Sequence, residues 1–463
     1  MVGRDTITDH GKETSELVAE RSSPPGLRVV SPLEIHRPLA RAEALLAYLE
    51  DGLTRKIPVP GRVWALHIYN ETEDGVHYSL QPADDISNQG DACTDDICRA
   101  IVLACNLYLE TGSVRAARLA RRWATFLSHV ELKDRPGVFA PFIFADGRLN
   151  IGGFNSRPPS KWAQGNVARA YAHLWQAFDD ANAEEGFWRV FRKSTPDLKA
   201  TANRVEGDLT AYEACAASGD HRSAQLLEQR IRHDVDRIVA NCEPAGYFSD
   251  FRHGAEPRGL NGTVQLWGYH QLMSVARAAR LLDRPDWLRP CIRTVERLID
   301  PLLDCVFPIL PYAWPVDAQG HPLAWPRTSL RWVGTAYHVS SLVAGLAELY
   351  LSTGDEGHAQ RGVRIAGWLL GDNPAHESMY HPTYGGCYDG IIDGRLNRNM
   401  GAESSIEAGR AELFRYHCES GLAITDGGRA RSLRSEPKEL PSAHQMMSAR
   451  RDSVTKPVAR GGS

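Results

Sequence analysis

The sequence predicts an all-α chain folded as one (α/α)6 barrel, six helical hairpins closed into a ring, with long rim loops that carry short β-strands. Three observations carry this reading. Apolar residues recur at helical spacing in about twelve segments between residues 31 and 424. The joins between segments alternate between short and long. The residues suited to chemistry collect in the long joins and in the first turns that follow them, so that the fold would gather them on one rim.

The segments run over 33–52, 95–110, 114–130, 160–180, 184–194, 197–218, 221–241, 263–282, 285–304, 334–352, 355–371 and 402–420. Glycine punctuates the tight joins: Thr111-Gly112-Ser113 and Thr353-Gly354-Asp355 each read as the end of one helix and the cap of the next. Joins at 111–113, 181–183, 219–220, 283–284 and 353–354 are short, whereas 53–94, 131–159, 242–262, 305–333 and 372–401 are long. Only the join near Pro196 breaks the alternation. With short joins after even-numbered segments, those segments form the inner ring and point their N-termini at the long loops, which are the usual carriers of function. Strand-like runs at 62–69 and 138–144 would pair as small sheets over the rim. A solenoid would need a nearly constant period and short loops, and no sequence-identical repeat is present, so the six-fold pattern is architectural.

Residues 1–30 read as a disordered N-terminal tail and 31–424 as the barrel. Residues 425–463, rich in Arg, Ser, Gly and Pro and without apolar periodicity, read as a disordered basic C-terminal tail. Over its 463 residues the chain is 43 % hydrophobic and 24 % charged, the balance of a soluble globular protein, and its net charge of -4 offers no case for nucleic acid or an acidic membrane. No apolar run approaches the roughly 20 residues of a membrane span, and residues 1–23 lack the apolar stretch of a secretion signal. Nine cysteines without paired or zinc-site spacing read as buried free thiols in a reducing, cytoplasmic setting, with no metal. The phosphate-loop, dinucleotide and serine-elbow motifs are missing, so no cofactor is expected.

The candidate chemistry sits at the two ends of the barrel sequence. Asp84, Asp85 and Asp91 lead to Thr94-Asp95-Asp96 at the start of the second segment. Tyr388-Asp389-Gly390 leads through Asn399 to Glu403 and Glu407 at the start of the last. Thr94 reads as a helix cap, and two adjacent aspartates cannot both point into a central cavity. Carboxyl groups of raised pKa are the usual proton donors at neutral pH, so the pairing points to acid–base work. Between the ends, the first turns of other inner segments hold Trp162 and Gln164, then Trp267, Tyr269 and His270, then Trp332, Tyr337 and His338. Flat aromatic faces with interspersed amide, imidazole and carboxylate groups suit polyhydroxylated, mostly uncharged ligands.

The run Leu369-Leu370-Gly371-Asp372-Asn373-Pro374, with Gly401-Ala402-Glu403-Ser404-Ser405-Ile406-Glu407, resembles the C-terminal part of six-hairpin glycosidases, including family-9 cellulase-like enzymes. Thr94-Asp95-Asp96-x-x-Arg99-Ala100 is similar to an N-terminal motif of bacterial relatives found beside glycosyltransferases. Ile97 stands where that motif leads one to expect Asn. The resemblance implies Glu403 as general acid and Asp95 or Asp96 as the base that activates water. It implies inversion, with carboxyl groups roughly 6.5–9.5 Å apart.

The reading is therefore a glycoside hydrolase acting on a soluble oligosaccharide or glycoside. Two rivals stay open: a sugar epimerase or isomerase using His270 and His338 as its proton-transfer pair, and a non-catalytic sugar-binding protein on the same barrel.

Overall fold

The computed structural model describes residues 38–83, 89–153, 156–193, 198–248, 263–266, 268–317, 319–323 and 333–427. Asp84, Asp85, Trp267, Trp332 and both expected tails up to residue 30 and beyond 427 lie outside the described residues. The helices are α1 (Pro38–Tyr48), α2 (Thr94–Thr111), α3 (Val114–Val130), α4 (Lys161–Phe178), α5 (Ala181–Phe191), α6 (Leu198–Ser218), α7 (His221–Ala240), α8 (Gln271–Leu281), α9 (Leu288–Thr294), α10 (Ala336–Thr353), α11 (Glu356–Ala366) and α12 (Ala402–Gly427). Among the described residues no helix is long and apolar enough to cross a membrane.

The ring is formed by α2, α4, α6, α8, α10 and α12. Each packs on the next, and α12 closes onto α2. The outer helices pack behind their partners: α3 behind α2, α5 behind α4, α7 behind α6, α11 behind α10, and α1 behind α12. Burial separates the two layers. On α3 the buried residues Ala116, Leu119, Ala120, Trp123, Phe126, Leu127 and Val130 make one stripe, as an outer helix requires. On α10 every residue from Ala336 to Leu349 is buried, so that helix has no solvent face until its last turn. Such closeness needs small residues: a Cβ on Gly165 of α4 would come within 2.9 Å of the Ala200 carbonyl of α6.

The short joins are the expected caps. Gly112 (φ 71°) and Gly354 (φ 71°) end α2 and α10 in the left-handed region, and the Ser113 and Asp355 side chains then accept from the first amides of α3 and α11. Above the inner N-termini the long loops form small antiparallel sheets. β1 (Thr54–Lys56) pairs with β2 (Trp64–Leu66), and β3 (Tyr69–Glu71) with β4 (Ser79–Gln81). β5 (Ala92–Cys93), β6 (Phe142–Ile143) and β7 (Leu149–Asn150) form one three-stranded sheet. β8 (Thr263–Gln265) pairs with β9 (Ala313–Pro315), and β10 (Val333–Gly334), β11 (Gly390–Ile392) and β12 (Arg395–Asn397) form another three-stranded sheet.

Three expectations need correction. The segment at 263–282 is not one helix: β8 comes first, Gly268 takes φ 64°, and the helix begins only at Gln271. Thr94 does not cap α2. Its hydroxyl donates to the Ala140 carbonyl at 2.6 Å, tying the helix start to the loop before β6, and Cys93 stands at the cap position. The last helix runs past residue 424, to Gly427. All nine cysteines are unpaired.

Candidate active site

The N-termini of α2 and α12 are neighbours because the ring closes there, and between them opens a cavity of about 440 Å³. Asp95, Asp96 and Arg99 line it from the first turns of α2, so both adjacent aspartates border the cavity, against the expectation that only one could; Trp162 and Asn166 line it from α4, Thr335 and Tyr337 from the start of α10, and Glu403 and Ser404 from α12. The loops contribute Ile68, Tyr69 and Phe142 on one side, and Asp389 and Gly401 on the other. Acids from opposite ends of the sequence thus face one space. This volume is within the range of small-molecule sites.

Arg99 organises the acids. Its Nη2 donates to Asp96 at 2.6 Å and to Glu403 at 3.0 Å, and its Nη1 donates to Glu407 at 3.4 Å. The guanidinium lies 4.8 Å from the centre of the Tyr337 ring, a cation–π contact that fixes its plane. Sequence reasoning quoted Arg99 as part of a motif and gave it no role. The i,i+3 spacing to Asp96 was the available signal; Glu403 and Glu407, some three hundred residues on, could not be paired with it by spacing.

The aspartates are protonated more readily than ordinary ones. Burial pushes Asp96 up to about 7, with Arg99 pulling the other way and Glu403 adding to the rise. Burial likewise raises Asp95 to about 6 against Arg99 and Asn166. The Asp95 Oδ1 has no hydrogen-bond partner among the described residues. Asp389 is raised to about 6 by burial, although it accepts from the Gly401 amide at 2.6 Å. The approach at Gly401 is tight: a Cβ would sit 3.0 Å from the Asp389 carboxylate and 3.1 Å from the Ile68 carbonyl.

The nearest oxygens of Asp96 and Glu403 are no farther apart than the two bonds to Arg99 Nη2 laid end to end, and that nitrogen occupies the space between them. A water placed between two carboxylates for inversion therefore has no room across this pair. Asp95 lines the same cavity, with its Oδ1, partnerless among the described residues, buried in the wall.

Of the expected ligand-binding residues, Trp162, Tyr337 and Asp389 line the cavity. The others do not. Gln164 is buried and donates to the Gly137 carbonyl at 2.8 Å, so its amide serves the loop beneath. Tyr269 is fully buried with its hydroxyl on the Phe248 carbonyl at 2.6 Å. His338 is fully buried, with Nδ1 3.2 Å from the Leu310 carbonyl, and burial depresses it to about 4. His270 is also fully buried, held well below its ordinary value by burial and by Arg410 and Arg169, and its Nε2 lies 3.2 Å from the Tyr337 hydroxyl. Tyr388 turns edge-on to His381, at 5.8 Å. Asn399 accepts from the Thr72 amide at 3.0 Å and its carbonyl accepts from the Asp389 amide at 2.7 Å, which makes it a support for Asp389. Glu407 is fully buried, accepting from Ser340 at 2.5 Å and Arg410 at 3.1 Å.

Below the cavity the ring is filled with charge. Arg169 meets Glu206 at 2.8 Å, Arg410 approaches the same carboxylate at 3.9 Å, and His173 does so at 3.7 Å. Glu206, although buried, is held well below its ordinary value by Arg169, His173 and Arg410. Among the described residues no group of three or more His, Cys, Asp or Glu is arranged to hold a metal ion.

No family model matches this chain, and no curated relative matches its sequence. Solved structures do match it. A cellobiose 2-epimerase from Spirochaeta thermophila aligns over 85 % of this chain and 100 % of its own, with a TM-score of 0.59 and 13 % identity. A D-mannose isomerase aligns over 85 % and 100 %, with a TM-score of 0.57 and 13 % identity. A family 76 glycoside hydrolase from a bovine Bacteroides thetaiotaomicron strain aligns over 84 % and 79 %, with a TM-score of 0.51 and 10 % identity. The likeness at these identities is one of fold: the chain is a six-hairpin (α/α) barrel.

Proposed function

We propose that this chain is a carbohydrate-active enzyme, and that it hydrolyses the glycosidic bond of an uncharged oligosaccharide or glycoside. One observation carries the reading: Glu403 and Asp95 reach one cavity from the two helices that close the ring, in a wall that also holds Trp162, Tyr69 and Tyr337. Glu403, whose side chain is 36 % exposed, would protonate the leaving oxygen. Asp95 would draw the proton from water: at about 6 it is mostly ionised at neutral pH and yet more basic than an ordinary aspartate. Arg99 would hold Glu403 and Asp96 in place, with Asp96 as its anchor. A substrate bringing a further carboxylate would meet four acids and one buried guanidinium, so neutral sugars fit best.

The test uses aryl glycosides with good and poor leaving groups. Glu403→Gln should lose most of its rate on the poor leaving group and far less on the good one, because protonation matters only when departure is difficult. Asp95→Asn should lose both and regain turnover with added azide. Equal losses on both substrates in Glu403→Gln would remove it from the acid role.

A second reading has its own support. Tyr337 lines the cavity and its hydroxyl meets His270, a buried group through which a proton could pass. Three of the solved structures of similar fold are a sugar epimerase, a cellobiose 2-epimerase and a mannose isomerase. On that reading Tyr337→Phe and His270→Asn would abolish exchange of the sugar C2 hydrogen with solvent deuterium, and Glu403→Gln would spare it.

A further inference from the structure

A second concavity, of about 370 Å³, lies outside the ring between α3 and the β1–β2 hairpin, and is lined by Lys56, Arg62, Trp64, Arg118, Arg122 and Thr125. Its lining holds four cations and no carboxylate, in a chain whose net charge is -4. The helix behind it carries Arg115, Arg118, Arg121 and Arg122 and no acidic residue. Arg115, Arg118 and Arg122 stand at i, i+3 and i+7, on one face, where like charges destabilise a helix unless something offsets them.

One carboxylate supplies part of the offset. Glu50, only 10 % exposed, lies 3.6 Å from Arg115, 2.6 Å from Arg118 and 3.1 Å from Arg122. It thereby fixes the three guanidinium groups without neutralising them. Arg122 is further held over the Trp64 ring at 4.5 Å. Lys56 and Arg62 are exposed on the opposite lip and meet no acid among the described residues. The result is a partly compensated positive cup whose Arg118 and Arg122 are already held in place, so an anion that enters pays little to order that side.

We propose that this groove binds a soluble phosphate ester. The cations line one shallow concavity of small-molecule size, and Trp64 is covered by Arg122 instead of projecting as a membrane anchor would. Arginine forks match phosphate oxygens, and the Trp64 edge can border the ester's organic part. The site is separate from the acidic cavity and does not depend on the reaction performed there.

Isothermal titration calorimetry of the full chain tests this, with inorganic phosphate and phenyl phosphate as probes, alongside co-sedimentation with phosphatidylserine-containing vesicles. The groove should bind phenyl phosphate saturably with a dissociation constant of about 1 mM or tighter. Binding should weaken with added salt and fall roughly tenfold or more in K56E/R62E. Both positions are exposed, so the variant should melt with the parent. If it does not, K56A/R62A replaces it and should show the same direction. Absence of saturable binding, unchanged affinity in a folded variant, or vesicle binding without phenyl phosphate binding would each overturn the proposal.

Discussion

The cavity rim and the column beneath it are built from the same residue types, yet their charges are balanced differently. In the column, Glu206 shares Arg169, Arg410 and His173, and its carboxyl is held well below its ordinary value in spite of burial. At the rim, one guanidinium serves Asp96, Glu403 and Glu407 together, and burial wins: Asp95 and Asp96 are pushed up to about 6 and about 7. The comparison teaches that buried acidity alone does not mark a reactive group. Surplus carboxylate over cation, facing an opening, separates the rim from acids that hold the barrel together.

The largest effect should come from removing rim acids. Glu403→Gln or Asp95→Asn should lower turnover of a poor-leaving-group glycoside by roughly 10²–10⁴-fold with melting unchanged or raised, read by steady-state kinetics and thermal denaturation. The column should respond in the opposite sense. Glu206→Gln strands Arg169 and should destabilise by about 3–5 kcal/mol in denaturant titration, while the molecules still folded keep their turnover. A Glu206 variant that melts normally would erase the distinction between the regions.

The pH dependence sharpens the same contrast. Asp95 and Asp96 have folded values above the ordinary 3.8, so the folded chain binds these protons more tightly than the unfolded one. Their contribution to stability is fully present below about 4 and is lost as pH rises through about 6 and about 7. Glu206 has the reverse sign: its contribution is present above the ordinary value of 4.5 and is lost as pH falls through its depressed folded value. Asp96→Asn should therefore flatten the decline between about pH 4 and 7, by an amount on the order of a few kcal/mol. The acid limb of kcat/KM should follow Asp95 near 6 and disappear with Asp95→Asn. The smallest effect belongs to the buried polar groups set aside above: His338→Asn should change turnover less than about tenfold, since its ring serves the Leu310 carbonyl.

The barrel was legible because helical periodicity and glycine caps are local signals, and the alternation of short and long joins translates directly into an inner and an outer ring. The meeting of Glu403 with Asp95 and Asp96 was legible for the same reason, since a closed ring brings its first and last inner helices together. What spacing could not convey was which way a side chain turns inside a layer that is buried on every face. Gln164, Tyr269 and His338 sit in first turns or just before them, as Trp162 and Tyr337 do, but each found a loop carbonyl to satisfy. A buried polar group takes the nearest partner, and those partners lie in loops far off in sequence. Arg99 escaped notice for a related reason: two of its three carboxylates belong to the other end of the chain.

The central claim, that the rim carboxylates act on a sugar, is tested most directly by proton NMR of a neutral glycan panel in deuterated buffer, comparing the parent chain with Glu403→Gln. The account predicts that a new reducing-end signal grows with the parent and is absent or at least about a hundredfold slower with the variant. Deuterium entering the sugar at C2 without cleavage, at equal rates in both proteins, would contradict it.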